Sequence, residues 1–339
     1  MSYTIIDIAE RAGVSKSTVS RIVSGKGYAS EKTREKVLKA IKELRYKPNG
    51  VARAMVSQKT NNIGVIIYRQ HHPIASHPFY GKILDAVLLQ AESLNYSVFV
   101  TTDKEMSLRS ADFMFEKRVD GLILISRLSQ EVIGYIDNFQ VPYIIVNGTT
   151  EKEDVIHFAN NDYKGGKIAA EHLYQLGHRS IFLIVGPQAH RSHKERLKGF
   201  CDRIEKLGSN VLQKNIYYSP TSAFEDGYKG LLNNWNLFLE QKPTAIFATN
   251  DMLAMGAMKV LLQKGVKIPK EVSVIGFDNI DFARMAYPSL TTIHVEKMKM
   301  GEEAVVLLDR LIKKEPVDTF QIEYEPKLII RDSTGIANR

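Results

Sequence analysis

The chain has 339 residues, more than one compact domain holds, and its 44% hydrophobic and 25% charged residues are the mix of a folded globular protein. A single cysteine, Cys201, excludes an internal disulfide framework, and no apolar run approaches the length of a membrane span. Residues 1–60 carry 13 lysines and arginines against 5 acidic residues, which is the whole net charge of +8, while the rest of the chain carries 33 of each. A polyanion-binding module on a neutral body is predicted. Absence of a positive-then-apolar leader pattern and the lone cysteine point to the cytoplasm.

Thr4 caps a first helix, Asp7 favours its free N–H groups, and Ile5, Ile8, Ala9 and Ala12 form one apolar stripe. Gly13 ends that helix and Val14 is a buried spacer. Ser15 then caps a second helix whose inner face is Val19, Ile22 and Val23 and whose outer face is Lys16, Ser17, Ser20 and Arg21. Two short helices across so tight a turn make a helix-turn-helix pattern, in which the second helix enters the major groove. Arg21 can donate two hydrogen bonds to guanine, and Lys16 and Ser17 stand at the helix start, where base contacts concentrate. Ser15, Thr18 and Ser20 are suited to phosphates. Ser30 caps a third helix with Val37, Ala40, Ile41 and Leu44 inside, and the domain ends near Tyr46.

Lys47-Pro48-Asn49 breaks the third helix, and Asn49 can cap another. The helix-compatible stretch 51–56 is too short to stand alone in water and needs a partner surface. Met55 there fits two roles equally, a wedge into a minor-groove base step or a contact with the body.

After residue 62, strands are predicted at 63–68, 98–101, 121–126, 143–146 and 156–158, separated by helices at 78–94, 108–117 and 130–138. The pattern restarts with helices at 162–176, 194–207, 224–235 and 251–264 between strands at 181–185, 216–218, 245–248 and 272–277. Such alternation predicts two doubly wound parallel sheets, and ligands bind such sheets beyond the carboxyl ends of their strands. Residues standing there are Phe79, Tyr80, Asn147, Ser192, Arg196, Asn250 and Asp278. Forked donors, amides and carboxylates can engage neighbouring hydroxyls, and aromatic rings can stack on a sugar or a planar base. Taken singly, Asn250 and Asp278 are better read as helix caps, and Phe79 and Tyr80 as core; their convergence at one end of the sheets favours a binding cleft.

Several segments resemble the lactose/galactose-repressor family. In the headpiece they are Thr4-Ile5-x-Asp7-Ile8-Ala9, Ala12-Gly13-Val14-Ser15-x-x-Thr18-Val19-Ser20-Arg21 and Tyr46-x-Pro48-Asn49-x-x-Ala52-Arg53. In the body they are Asn161-Asp162-Tyr163-x-Gly165-Gly166, Arg196-Leu197-x-Gly199-Phe200, Asn250-Asp251 and Ile275-Gly276-Phe277-Asp278-Asn279. The resemblance implies a three-helix headpiece (1–48), a hinge helix and linker (49–60) and a core of periplasmic sugar-binding-protein fold. The first core lobe would hold about 61–160 and 293–322, the second about 161–292 and 323–339. It also implies that Thr4, Asn49, Ala52, Arg53 and Met55 join the DNA contacts, Met55 as the wedge. Phe224 would face the effector, although the position where the family often carries an aromatic residue is Ser222.

No P-loop, nucleophile elbow, zinc helix or hydrolytic carboxylate pair occurs, so an enzyme, a cofactor and a metal are not expected. His71, His72 and His77 form one loop cluster and His190 and His193 another; loop histidines of this kind mostly face solvent, with His190 near the effector. A homodimeric, nucleoid-associated repressor of carbohydrate-use genes is therefore expected. It would bind double-stranded operator DNA under control of a small sugar-like effector. The alternatives are control by a protein co-regulator such as a phosphorylated phosphocarrier, or by a purine-type co-repressor.

Overall fold

The computed structural model describes residues 3–24, 28–46, 59–68, 77–103, 108–116, 118–126, 130–148, 150 and 152–338. It divides into two compact units, Met1–Asn61 and Asn62–Arg339. Asn49, Ala52, Arg53 and Met55 of the expected hinge, and His71 and His72, lie outside the described residues.

The first unit holds the helices Ile5–Ala12, Lys16–Ser24 and Glu31–Glu43. A reciprocal capping box opens the first: the Thr4 hydroxyl accepts N–H groups of the first turn, and Asp7 accepts the N–H of Thr4 at 2.6 Å. Gly13, at φ 65°, closes it in the left-handed conformation that a side chain would strain. Ser15 and Ser30 cap the next two helices, accepting the N–H of Thr18 at 3.1 Å and of Thr33 at 3.3 Å. Ile8, Val19 and Val37 meet at the centre, fully buried, with Ile5, Ile22 and Leu44 packed around them.

Among the described residues the second unit is built on twelve strands: β1 (Asn62–Tyr68), β2 (Ser97–Asp103), β3 (Gly121–Ile125), β4 (Tyr143–Val146), β5 (His157–Asn160), β6 (Ile181–Val185), β7 (Ile216–Tyr218), β8 (Ala245–Ala248), β9 (Ser273–Asp278), β10 (Thr291–His294), β11 (Gln321–Tyr324) and β12 (Lys327–Ile329). They form two six-stranded sheets, ordered β11-β5-β4-β3-β1-β2 and β12-β10-β9-β8-β6-β7. Every pairing is parallel except β12 against β10. Strands such as β3, β6 and β8 are buried along their whole length, as continuous apolar runs covered on both faces must be.

The chain passes between the lobes three times: after β5, between β10 and the helix Lys297–Lys313, and between β11 and β12. That helix returns to the first lobe, where it packs on the helix Tyr80–Ser93 and on β3 and β4. The last passage falls between Tyr324 and Lys327. Two helices differ from expectation. The helix expected from residue 194 begins at Arg191. The helix expected over 224–235 stops at Asn233, because the Asn234 amide turns back to the carbonyl of Gly230 at 2.8 Å; a separate helix, Trp235–Gln241, follows.

Candidate functional site

On the second helix of the headpiece Val19 is buried, while Lys16, Ser17, Ser20 and Arg21 are exposed. The exposed face therefore carries two cations and two hydroxyls on a helix anchored through its opposite side. Ser15 and Thr18 are placed differently. The Ser15 hydroxyl caps the helix and lies 2.8 Å from both Ser17 Oγ and Thr18 Oγ1. The Thr4 hydroxyl donates to Asp7 at 2.8 Å, so its proton is already engaged.

In the core, a cavity of about 420 Å³ opens between the lobes. Tyr80, Ser126 and Asn147 wall it from the first lobe, and His190, Arg191, Ser192 and Glu195 from the second. Asn160, Asn161, Asp162 and Tyr163, at the first passage between lobes, and Glu323, near the third, complete it. Tyr80 Oη lies 3.3 Å from Ser126 Oγ, and burial raises its pKa, which keeps the phenol neutral. Ser126 and Asn147 stand at or just after strand ends in left-handed backbone, at φ 73° and 54°. The helix Arg191–Lys206 presents its amino end here, and its first residues receive no side-chain cap from His190.

Behind this wall lies a buried charge network. Arg196 is only 4% exposed. Its Nε donates to Asp162 Oδ1 at 2.8 Å and its Nη1 to the carbonyl of Thr249 at 2.7 Å. The same Nη1 lies 3.0 Å from Asp278 Oδ1, an ion-pair contact, since that oxygen receives no well-aligned hydrogen bond. The guanidinium also stacks 3.8 Å from the ring centre of Phe277. Lys297 donates to the carbonyls of Asp278, Asn279 and Val295. Burial pushes the Asp278 carboxyl up, opposed by Arg196 and Lys297, and pushes Asp251 up to about 7, reinforced by Asp278. Glycines make the network possible. A Cβ on Gly199 would overlap the carbonyl oxygen of Tyr163, and one on Gly166 that of Arg196, so only glycines let the two helices approach until Arg196 reaches Asp162.

Of the eight residues expected at the effector, Tyr80, Asn147 and Ser192 line the cavity. Arg196 and Asp278 belong to the network behind it. Phe79 is 6% exposed, packs edge-on against Tyr80 and lies in the core; burial there wins over a stacking role. Asn250 is used locally: it caps the helix Asp251–Gln263 through the N–H of Leu253 at 2.8 Å and donates to Ser222 O at 3.0 Å. Phe224 begins its helix with Lys259 beside its ring and is absent from the cavity wall. Of the histidines expected to face solvent, His193 is buried, bridges Thr249 Oγ1 at 2.8 Å and Ser222 Oγ at 2.9 Å, and is held neutral by burial and by Arg196. His77 Nδ1 accepts the N–H groups of Phe79 and Tyr80 at the start of the first core helix. His190 does line the cavity. Among the described residues no group of three or more potential metal ligands converges, and no helix is long and apolar enough to cross a membrane.

Sequence reasoning missed Ser126, Asn160, Tyr163, Glu195 and Glu323 as cavity residues. Ser126 obeys the end-of-strand rule that singled out Asn147 and was findable. Asn160 closes β5, which runs two residues past the strand expected at 156–158, and Glu323 lies on β11, which no sequence pattern predicted.

Two family profiles match the chain: "Bacterial regulatory proteins, lacI family" over residues 4–49 and "Periplasmic binding protein-like domain" over residues 170–334. The chain is 33% identical to the HTH-type transcriptional repressor PurR of Actinobacillus pleuropneumoniae serotype 3, over 99% of both chains. Among solved structures, it superposes on the lac repressor dimer bound to operator and the anti-inducer ONPF with a TM-score of 0.86, at 27% identity, over 99% of this chain and 100% of that one. The complex of the transcriptional regulator CelR with cellobiose gives a TM-score of 0.73 at 27% identity, over 98% of this chain and 99% of the other.

Proposed function

The chain belongs to the lacI family of bacterial regulatory proteins, DNA-binding transcriptional repressors and not enzymes, and from that premise we propose that its operator affinity is set by a small uncharged effector of the purine class. The observation that carries this reading is the whole-length likeness to a repressor named PurR, a name that points to purines and so to the alternative rather than to the expected sugar. Tyr80, Ser126, Asn147, Asn160 and Ser192 offer neutral hydrogen-bonding groups on a wall that also carries Arg191, Asp162, Glu195 and Glu323, and the Arg196 guanidinium behind them is already paired with Asp162 and Asp278. Side-chain amides and hydroxyls can both donate and accept, as the edge of a purine base requires.

In this reading two headpieces of a homodimer in the cytoplasm read the half-sites of a near-palindromic operator, with Lys16, Ser17 and Arg21 at base edges. Ser15, Thr18 and Ser20 lie along the phosphates, and Thr4, Asn49, Ala52, Arg53 and Met55 complete the contact. The dimer is supported by apolar side chains left exposed on the second lobe, Leu262, Phe282, Met285 and Tyr287, and by the dimeric state of the lac repressor. The effector acts as a co-repressor by favouring the lobe arrangement that grips DNA, with a coupling of roughly 1–3 kcal/mol.

A second reading, a neutral sugar effector, is favoured by the CelR–cellobiose likeness and by the hydroxyls on the wall. One experiment separates the two: thermal melts of the full chain with adenine, guanine, hypoxanthine, ribose and cellobiose, followed by operator titration with any compound that stabilises it. A purine should raise the melting temperature and tighten operator binding. Stabilisation by cellobiose or ribose alone would replace the purine reading with the sugar one.

A further inference from the structure

β9 ends at Asp278 with φ 109°, and Asn279 follows it at φ 50°, so two consecutive residues have positive φ. For a residue with a Cβ the first value is strained, and such strain persists only where surrounding contacts fix it. Lys297 takes the carbonyls of Asp278 and Asn279, Arg331 donates to the side-chain oxygen of Asn279, and beside them stands Asp251, the first residue of the helix Asp251–Gln263, which is fully buried. Its Oδ2 accepts the N–H of Ile280 at 2.9 Å, and its Oδ1 accepts the hydroxyl of Thr292 at 2.5 Å. Thr292 Oγ1 in turn accepts the N–H of Asn279 at 3.2 Å. The sequence makes room for this carboxylate: a Cβ on Gly276, in the middle of β9, would overlap Asp251 Oδ1. Glycine weakens a strand interior, and its place here is explained by the side chain it admits.

We propose that Asp251 is a positioning residue of the effector site: by bridging Ile280 and Thr292 it holds the strained Asp278–Asn279 turn that sets the Asp278 carboxylate against Arg196. This rests on the proposed effector site, to which Asp278 belongs through the Arg196 network behind the cavity wall. Asp251 is absent from the cavity wall and acts through the turn. The geometry requires hydrogen bonding rather than charge. An asparagine can accept from Ile280 and donate to Thr292, whose hydroxyl accepts as readily as it donates. An alanine can do neither and leaves the buried N–H of Ile280 without a partner.

The test compares the full chain with Asp251→Ala, Asp251→Asn and Thr292→Val. Amide hydrogen exchange at Asn279 and Ile280 reads the turn without any ligand, and titration with hypoxanthine reads the site. Asp251→Ala should raise exchange at both amides and weaken hypoxanthine binding about tenfold or more. Asp251→Asn should restore both to near the parent values, and operator binding without hypoxanthine should stay unchanged in all variants. Unaltered exchange in Asp251→Ala, unaltered hypoxanthine affinity, or an asparagine variant as impaired as the alanine one would each overturn the proposal. Should Asp251→Ala not fold, Thr292→Val, which removes the same bridge, carries both measurements. Should the parent chain bind none of adenine, guanine and hypoxanthine, the purine reading falls and the exchange measurement alone decides the role of Asp251.

Discussion

Replacing Arg196 with methionine should cost the core about 3–5 kcal/mol, the loss that follows when one partner of a buried ion pair is removed. The magnitude rests on what the guanidinium leaves behind. Asp162 loses a 2.8 Å hydrogen bond, Asp278 loses its 3.0 Å counter-charge, and the carbonyl of Thr249 loses its donor. Methionine keeps much of the packing over Phe277, so the deficit is electrostatic. Water can make up only part of it, since the Asp162 and Asp278 side chains are 14% and 11% exposed. The chain has one tryptophan, Trp235, stacked on Phe238 in the second lobe, so its fluorescence during guanidinium denaturation reports the loss directly. Adding Asp278→Asn, which removes the stranded charge, should recover part of it. A loss below about 1 kcal/mol, or no recovery in the double variant, would refute the claim that this network is a desolvated unit.

Arg21→Ala should weaken operator binding by about 1–3 kcal/mol and relax preference at one base pair, measured by titration against operators varied singly. The Asp251 carboxyl sits at about 7 in the fold against an ordinary 3.8, faced by Asp278, Lys297 and Arg331. The native state thus binds that proton more tightly, and the associated stability is full in acid and lost as pH rises through about 7; Asp251→Asn should flatten this decline in melts across the pH range. Gly199→Ala should force the helices Asp162–Gln175 and Arg191–Lys206 apart and cost about 1–3 kcal/mol in the same melts. Leu262→Asp should shift the chain from dimer to monomer in sedimentation while leaving far-ultraviolet dichroism intact.

Much of the architecture was legible because its signals are local. Capping by Thr4, Ser15 and Ser30 and the stripes of the three headpiece helices are written within a few residues of where they act. So are the apolar runs of β3, β4, β6 and β8. Less legible was what depends on distant partners. β10, β11 and β12 are only three or four residues long, too short for an apolar run or an alternation to mark them; they become strands by pairing with β9, β5 and β10. The end-of-strand rule placed Tyr80, Asn147 and Ser192 on the cavity. It set aside the reading of Asn250 as a helix cap, which the structure bears out, and it could not foresee that Arg196 is held by two carboxylates. Position along the chain tells where a side chain stands, but which partner reaches it first depends on the tertiary packing. His193 illustrates the point, since nothing in the polar sequence around it announces that Thr249 and Ser222 enclose it.

The three passages between lobes bear on how the protein is made. The first lobe takes its last strand, β11, and the helix Lys297–Lys313 from near the end of the chain. The second lobe takes β12 from there too, and Ser333 clasps Val274 and Thr291. A ribosome delivering this polypeptide from the amino end therefore releases a finished headpiece first, while both halves of the body stay open until the final residues emerge. A premature stop near residue 296 would leave a product with an intact DNA-reading domain and no closed body to govern it.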